Sequence, residues 1–363
     1  MPKPVMIDRW LLCAVGVLVA AGLLMVGSAS QYEALRNGQD GSYFMIRHLL
    51  FAIAGLLLLL GAMKIHYPRL DDRRLVLGAV ALTFVALVAV LAMTPSGGAR
   101  RWFRFGPLAL QPAEFAKLVV VVGMAWLLSR YESRVNDARR FLLPLGAGLF
   151  AVLFLINLQP DLGSGVMIAI IAAAMVFLAG LRWSYIGGAT AIGAAAFIAA
   201  VVAKPYRLKR IGAFLNPESD VLGSAFQLNQ SLLALGAGGL DGVGFGQGQQ
   251  KAGYLPAAHT DFIFSVIGEE FGLIGTLVLL CVVGVLFWRG LRAAQGVPDR
   301  FGFYLAIGCT ILLVAQSLIH MGVCVGVLPT KGLPFPFVSY GGSSLWTSFI
   351  AAGLLLNVSQ HRR

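Results

Sequence analysis

Long apolar runs separated by short, basic, polar segments make up most of the chain. They lie at about 9–28, 44–64, 75–94, 111–129, 141–158, 162–181, 184–203, 262–288, 302–325 and 338–358. Each approaches the roughly 20 residues an α-helix needs to cross about 30 Å of hydrocarbon. The first run, Trp10–Val26, has no small-residue cleavage site and flows into further spans, so it reads as a retained helix rather than a signal peptide. Ten spans place both termini on one side. Loops on that side, with the termini, hold sixteen Lys and Arg against ten on the other. The positive-inside rule therefore predicts cytoplasmic termini. The predicted architecture is one all-α polytopic membrane domain over residues 1–363. Its single long loop, 204–261, is predicted outside and ahead of the eighth span.

Composition agrees with this pattern. The 363 residues are 58% hydrophobic and 12% charged, with a mean hydropathy of +0.81. Soluble domains carry about 25% charged residues. The net charge of +12 fits loop orientation and contact with anionic membrane lipids rather than nucleic acid. Cys13, Cys281, Cys309 and Cys324 all fall in apolar runs, which favours packing over disulfides or zinc. HExxH, CxxC, GxSxG and P-loop patterns are missing from the sequence.

Charges inside apolar runs are costly, so each is a candidate for function. LPAAHTDFIFSVIGEE, Leu255–Glu270, sets Asp261 where the long loop turns into a span, and Glu269 and Glu270 within that span. At 1.5 Å per residue the two glutamates lie about 12–14 Å deeper, too far to share a reacting atom with Asp261. They read as a buried structural or hinge pair. Gln111-Pro112-Ala113-Glu114 opens the fourth span, with Lys117 three residues past Glu114 on the same face. These two form either a structural ion pair or a pair that also lines a cavity. Gln159-Pro160-Asp161 ends the fifth span, and Asp161 is placed to cap the sixth.

Both Gln-Pro-acid elements fall at the outer level, together with Arg47, Arg100, Arg101 and Arg104. The last outer loop, VLPTKGLPFPFVSYGGSS, contains Lys331 and the hydroxyls of Ser339, Ser343 and Ser344, which suit either a phosphate or bonds within the bundle. The glycine tract GAGGLDGVGFGQGQ has no strand before it, so it is not a dinucleotide motif. It is either a compact loop or the lining of a groove. His259 reads as a capping or supporting residue or as a proton carrier, and His320 as a packed polar residue.

Arginine and lysine suit an anionic phosphate or pyrophosphate headgroup. Burial raises a carboxylate pKa and nearby cations lower it, so Asp261 is a candidate general base. These residues alone point to an enzyme or carrier acting on a polyprenyl or phospholipid phosphate at the outer face.

YLPAAHTDFIFSVIGEEFG (Tyr254–Gly272) and LPTKGLPFPFVSYGGSS (Leu328–Ser344) resemble the SEDS family of shape, elongation, division and sporulation proteins. GSAS (Gly27–Ser30), GGARRW (Gly97–Trp102), QPAEFAKL (Gln111–Leu118), QPDLGSG (Gln159–Gly165) and FLNPESD (Phe214–Asp220) extend the resemblance over nearly the whole chain. Pro329–Gly332 and the run from Gln250-Lys251 to Tyr254-Leu255-Pro256 are more similar to the division-type members than to the elongation type.

The resemblance implies a peptidoglycan glycosyltransferase that polymerises lipid II outside the cytoplasmic membrane, at the division septum. Asp261 would be the catalytic base, and Arg47, Arg100, Arg101, Lys117, Lys251, Lys331 and Ser343 would bind substrate pyrophosphate. Glu114, Asp161, His259, Gln111 and Gln159 would form the supporting polar cavity. Implied partners are lipid II, the nascent glycan strand, a class B penicillin-binding protein and other membrane proteins of the division or elongation machinery. The family usually has an acid where Ala257 stands and often asparagine where His320 stands. Without that acid no tight metal site is expected, and no cofactor is required; Mg or Mn would at most assist departure of the pyrophosphate. The competing readings are a lipid II flippase, the elongation-type polymerase and a non-catalytic scaffold.

Overall fold

The computed structural model describes residues 7–95, 99–106, 108–203, 225–330 and 332–361, and within 204–224 only Leu208, Gly212, Phe214 and Gly223. Lys331, most of the KPYRLKR and FLNPESD segments, and Gly97 and Gly98 lie outside the described residues.

Every predicted span coincides with a helix. In chain order they are α1 (Arg9–Arg36), α2 (Tyr43–Lys64), α3 (Arg73–Ala89), α4 (Pro112–Tyr131), α5 (Leu143–Leu158), α6 (Leu162–Leu178) and α7 (Trp183–Val202). The long loop contributes α8 (Phe226–Gly238). Then follow α9 (Ile263–Gly296), α10 (Arg300–Cys324) and α11 (Gly342–Gln360). Seven helices are long and apolar enough to cross a membrane, and α6 and α7 are shorter apolar helices. The protein is thus an all-α polytopic membrane protein with one small exception. Segments β1 (Phe103–Phe105) and β2 (Leu108–Leu110) pair as an antiparallel hairpin ahead of α4, with Arg104 opposite Ala109. A three-residue strand is too short to leave an alternating pattern, so the sequence did not reveal it.

α10 is the axis of the bundle, with 72% of its apolar window buried, against 17% for α3 and 11% for α5. The sequence shows no such difference, because lipid tails are as apolar as a protein core and both faces of a span accept the same residues. Asn357 of α11 donates to the carbonyls of Ala62 (2.8 Å) and Met63 (2.9 Å), so one buried amide satisfies the last turn of α2. Cys309 and Cys324 are packed in the interior. Cys13 and Cys281 are exposed on helix surfaces, so the packing role fits only the first two.

Ion pairs gather at the end where the chain starts and finishes. Asp8 caps α1 through the Leu11 N–H (3.1 Å) and pairs with Arg289 near the end of α9 (2.5 Å). Arg130 pairs with Asp71 (2.5 Å) and Arg300 with Glu132 (3.2 Å). The His361 ring packs edge-on against Tyr67. Both terminal regions therefore lie at one end of the bundle, as an even number of spans requires.

Candidate active site around Asp261

The loop before α9 makes its last turn at Ala257, whose φ of 55° is left-handed. The Ala257 carbonyl accepts from the N–H groups of Thr260 (3.0 Å), Asp261 (3.0 Å) and Phe262 (3.4 Å). A non-glycine residue in this region is strained, and it persists only where its surroundings hold it. Here they do. The Ser339 hydroxyl donates to the Thr260 carbonyl (2.6 Å) and accepts from the Phe335 N–H (2.8 Å). The Tyr340 N–H donates to the His259 carbonyl (3.0 Å). The Cys324 thiol makes a long contact to the Asp261 carbonyl (3.8 Å). The HTD segment is latched through its backbone to the last outer loop.

Asp261 is itself partly buried, one residue before the Phe262 N-cap of α9. Gly332 comes so close that a Cβ on it would stand 3.1 Å from Asp261 Oδ2. The loop after Gly332 is wedged inward on Leu333, Phe335, Phe337 and Val338, all buried. α10 holds it from the other side: Gln316 donates to the Pro334 carbonyl (2.8 Å), and His320 Nδ1 lies 2.8 Å from the Leu333 carbonyl. His320 is thus a packed tie to this loop.

His259 is buried, with Nδ1 3.2 Å from Glu33 at the end of α1. Its ring lies tilted against those of Phe44 (5.0 Å) and Tyr340 (5.5 Å). Phe51 joins the same aromatic group beside Tyr340, and the Arg47 guanidinium lies over Tyr43 and Phe51. Burial holds the Tyr340 phenol above its usual pKa, and the Arg47 charge offsets part of that rise. Arg47 and the HTD segment therefore border one aromatic patch.

A second polar group sits where α4, α6 and α11 begin. Gln111 donates to Asp161 (2.6 Å), and Asp161 caps α6 by accepting from the Ser164 N–H (3.1 Å). Ser343 accepts from the Gln111 N–H (2.9 Å) and donates to the Ala109 carbonyl (3.2 Å), joining the hairpin to α11. Of the two readings of Ser343, the bonds within the bundle are the ones made. Gln159 is buried and donates to the Leu87 carbonyl (2.9 Å). Gly163 packs against Leu333, which ties this group to the loop facing Asp261.

Two lysines expected to meet pyrophosphate are engaged inside the protein. Lys117 is fully buried and donates to Glu114 (2.8 Å) and Gln316 (2.7 Å). Lys251 donates to Glu270 (2.5 Å) and Ser28 (2.5 Å). The sequence could not place Gln316 or Ser28, which come from α10 and α1, beside them. The cations nearer the surface are Arg100, exposed and bonded to the Leu91 carbonyl (3.2 Å), and Arg101, whose Nε has no hydrogen-bond partner among the described residues.

The glycine tract also has an internal partner. α9 is broken at Gly272 (φ 63°), and the freed carbonyls of Glu269 and Glu270 accept from the N–H groups of Val243 (2.9 Å) and Gly244 (3.0 Å). The Glu270 carboxylate accepts from the Gly246 N–H (3.1 Å), and that of Glu269 from the Gln249 N–H (2.7 Å). Gly242 (φ 84°) lies against the Glu270 carbonyl, where a Cβ would collide with it. The tract cradles two carboxylates of its own chain. No group of three or more His, Cys, Asp or Glu among the described residues forms a metal-binding set. With Ala257 beside Asp261 and His259 turned to Glu33, the donors there do not fit a resident metal.

Residues 9–363 match the FtsW/RodA/SpoVE family of cell cycle proteins. The chain belongs to this family. It is 42% identical to a probable peptidoglycan glycosyltransferase FtsW of Trichlorobacter lovleyi, covering 97% of this chain and 93% of that one. It is 39% identical to the stage V sporulation protein E of Bacillus subtilis, covering 96% and 95%. Among solved structures it is similar to a chain of a peptidoglycan synthase complex that coordinates polymerization and crosslinking (TM-score 0.79, 31% identity, 97% of each chain). The rod shape determining protein RodA of Thermus thermophilus is also similar (TM-score 0.72, 28% identity, 99% of each chain). The SEDS resemblance read from the motifs is the same family.

Proposed function

We propose that this protein is a peptidoglycan glycosyltransferase that polymerises lipid II, with Asp261 as its general base. The observation that carries this is the placement of Asp261: a partly buried carboxylate at a helix start, pinned through its backbone and faced by a glycine. The Asp261 carboxylate takes the proton from the 4-hydroxyl of the acceptor N-acetylglucosamine. That oxygen attacks the anomeric carbon of the donor strand with inversion, and the bond from this carbon to the pyrophosphate oxygen breaks. The electron pair leaves with undecaprenyl pyrophosphate, and Asp261 returns its proton to water. Arg47, Arg100, Arg101 and Lys331 are the cations proposed for the leaving group, where fixed charge is most effective as negative charge develops. Lys117, Lys251 and Ser343 act one layer back, holding the helices and loops around the site. A single base suffices because the leaving group is already good, unlike the paired carboxylates of glycoside hydrolysis. Mg or Mn, where present, would add positive charge at the departing pyrophosphate.

The proposed topology is ten spans with cytoplasmic termini and Asp261 outside. The proposed setting is the division septum, with a class B penicillin-binding protein supplying the cross-linking that the similar synthase complex couples to polymerisation. Depletion that gives filaments supports the division role, and round cells would assign elongation. The decisive experiment uses purified Asp261→Asn with lipid II, with glycan strands read on a gel. Loss of a general base predicts a fall of about 10²–10⁴-fold. Strand synthesis at the native rate would refute the mechanism, and retained lipid II translocation without strands in the native protein would favour the flippase.

A further inference from the structure

A cavity of about 480 Å³ opens between α3, α4 and α5, reaching from Ala116 in the first turns of α4 to Tyr131 at its end. Its walls are Val80, Val120, Met124, Gly148, Leu149 and Val152, and its rim carries Tyr131 and Arg140. α3 and α5 are the two least buried of the long spans, so the cavity faces the surrounding lipid.

The rim is electrically incomplete. Arg130 and Arg300, in the neighbouring loops, each have a carboxylate partner. The Arg140 guanidinium is exposed and has no such partner among the described residues. The nearby Asp137 carboxylate accepts from the backbone N–H groups of Arg139 (3.1 Å) and Arg140 (3.0 Å). Trp126 also lines the cavity, and its indole N–H is buried without an acceptor among the described residues. From Ala116 to Tyr131 the groove runs about 22 Å along α4. That is longer than one leaflet and shorter than the roughly 30 Å of the whole hydrocarbon layer.

We propose that this groove is a binding site for an anionic glycerophospholipid, with one acyl chain between α3, α4 and α5 and the phosphate on Arg140. An apolar groove of about 22 Å takes one acyl chain of a diacyl lipid near full extension, while a polyprenyl chain would overrun it. The unpaired guanidinium selects for negative charge in the headgroup. The headgroup end of the site, at Tyr131 and Arg140, stands at the opposite end of α4 from the polar group at Gln111 and is independent of the chemistry at Asp261.

Native mass spectrometry of the purified full chain, with phosphatidylglycerol or phosphatidylcholine added to the micelle, tests it. The wild type should hold phosphatidylglycerol about fivefold more tightly, the effect of one basic residue at an anionic surface. Arg140→Gln should erase that preference and leave phosphatidylcholine binding unchanged. Gly148 lines the groove and a Cβ there meets nothing within 4 Å. Gly148→Leu should therefore fill the groove, lower the occupancy of both lipids and leave the unfolding temperature unchanged. The proposal is overturned if Arg140→Gln keeps the preference, if Gly148→Leu keeps its lipid, or if undecaprenyl phosphate displaces phosphatidylglycerol at equal concentration.

Discussion

Asp261 and the Glu269–Glu270 pair belong to one short stretch of sequence, yet they occupy opposite kinds of environment. Both glutamates are almost fully buried, and loop N–H groups, Ser28 and Lys251 engage their oxygens. Asp261 is partly open, and the backbone around it is held by Ser339, Tyr340 and the Ala257 turn. A buried polar network that is satisfied makes a rigid unit and leaves nothing to offer a substrate. A partly exposed carboxylate on a held backbone keeps its position at the edge of the bundle. The glutamates build the loop, and the loop delivers the aspartate.

Glu270→Ala should give the largest stability change. It strips the carboxylate from a Lys251 ammonium that is only 10% exposed. Removing one partner of a buried ion pair costs about 3–5 kcal/mol, because the other charge is left uncompensated. Thermal unfolding in detergent measures this, and Lys251→Met added to Glu270→Ala should restore part of the loss. Asp261→Asn should leave the unfolding temperature where it was while strand synthesis fails. Should Glu270→Ala unfold like the native protein, the contrast between the two carboxylate sites collapses.

The architecture was legible because hydrocarbon imposes a length on every span, and Pro112, Pro160 and Asp161 mark helix boundaries by simple chemistry. The common depth of the two Gln-Pro-acid elements was legible too, and the structure joins them through Gln111 and Asp161. Partner choice was not legible. Lys117 and Lys251 looked like candidate substrate ligands because Gln316 and Ser28 stand far from them in sequence. Nor did Glu33 stand out, one acid near the end of α1, although it meets His259. The glycine tract offered N–H groups for an anion, but the anion proved to be two carboxylates twenty or so residues downstream. What the pattern of apolar and polar residues cannot encode is which loop folds back on which helix.

Ser339 tests the latch between the loops, with a smaller effect. Ser339→Ala leaves the Phe335 N–H and the Thr260 carbonyl without their shared hydroxyl. An unsatisfied buried backbone group costs about 1–3 kcal/mol. The strained turn at Ala257 would then relax, so activity should fall more than stability does. Ser339→Thr, which keeps the hydroxyl, should recover most of both. Loss of stability with normal strand synthesis would mean that the latch does not position Asp261.

The smallest change probes the comparison most finely. Gly332→Ala adds one methyl group 3.1 Å from Asp261 Oδ2, closer than ordinary contact, and touches nothing in the Glu269–Glu270 network. The carboxylate has to move by a few tenths of an ångström. Misplacing a reacting group by about 1 Å costs about 10²-fold in rate, so a drop of about tenfold is expected here. The unfolding temperature should hold, because no buried charge or hydrogen bond is lost. Gly242→Ala is the matched control: its added Cβ collides with the Glu270 carbonyl at a left-handed φ, which predicts loss of stability with activity falling only in step. If Gly332→Ala is as active as the native protein, Asp261 tolerates displacement and is not the base. If Gly332→Ala unfolds early, the glycine serves packing, and the two carboxylate regions are alike after all.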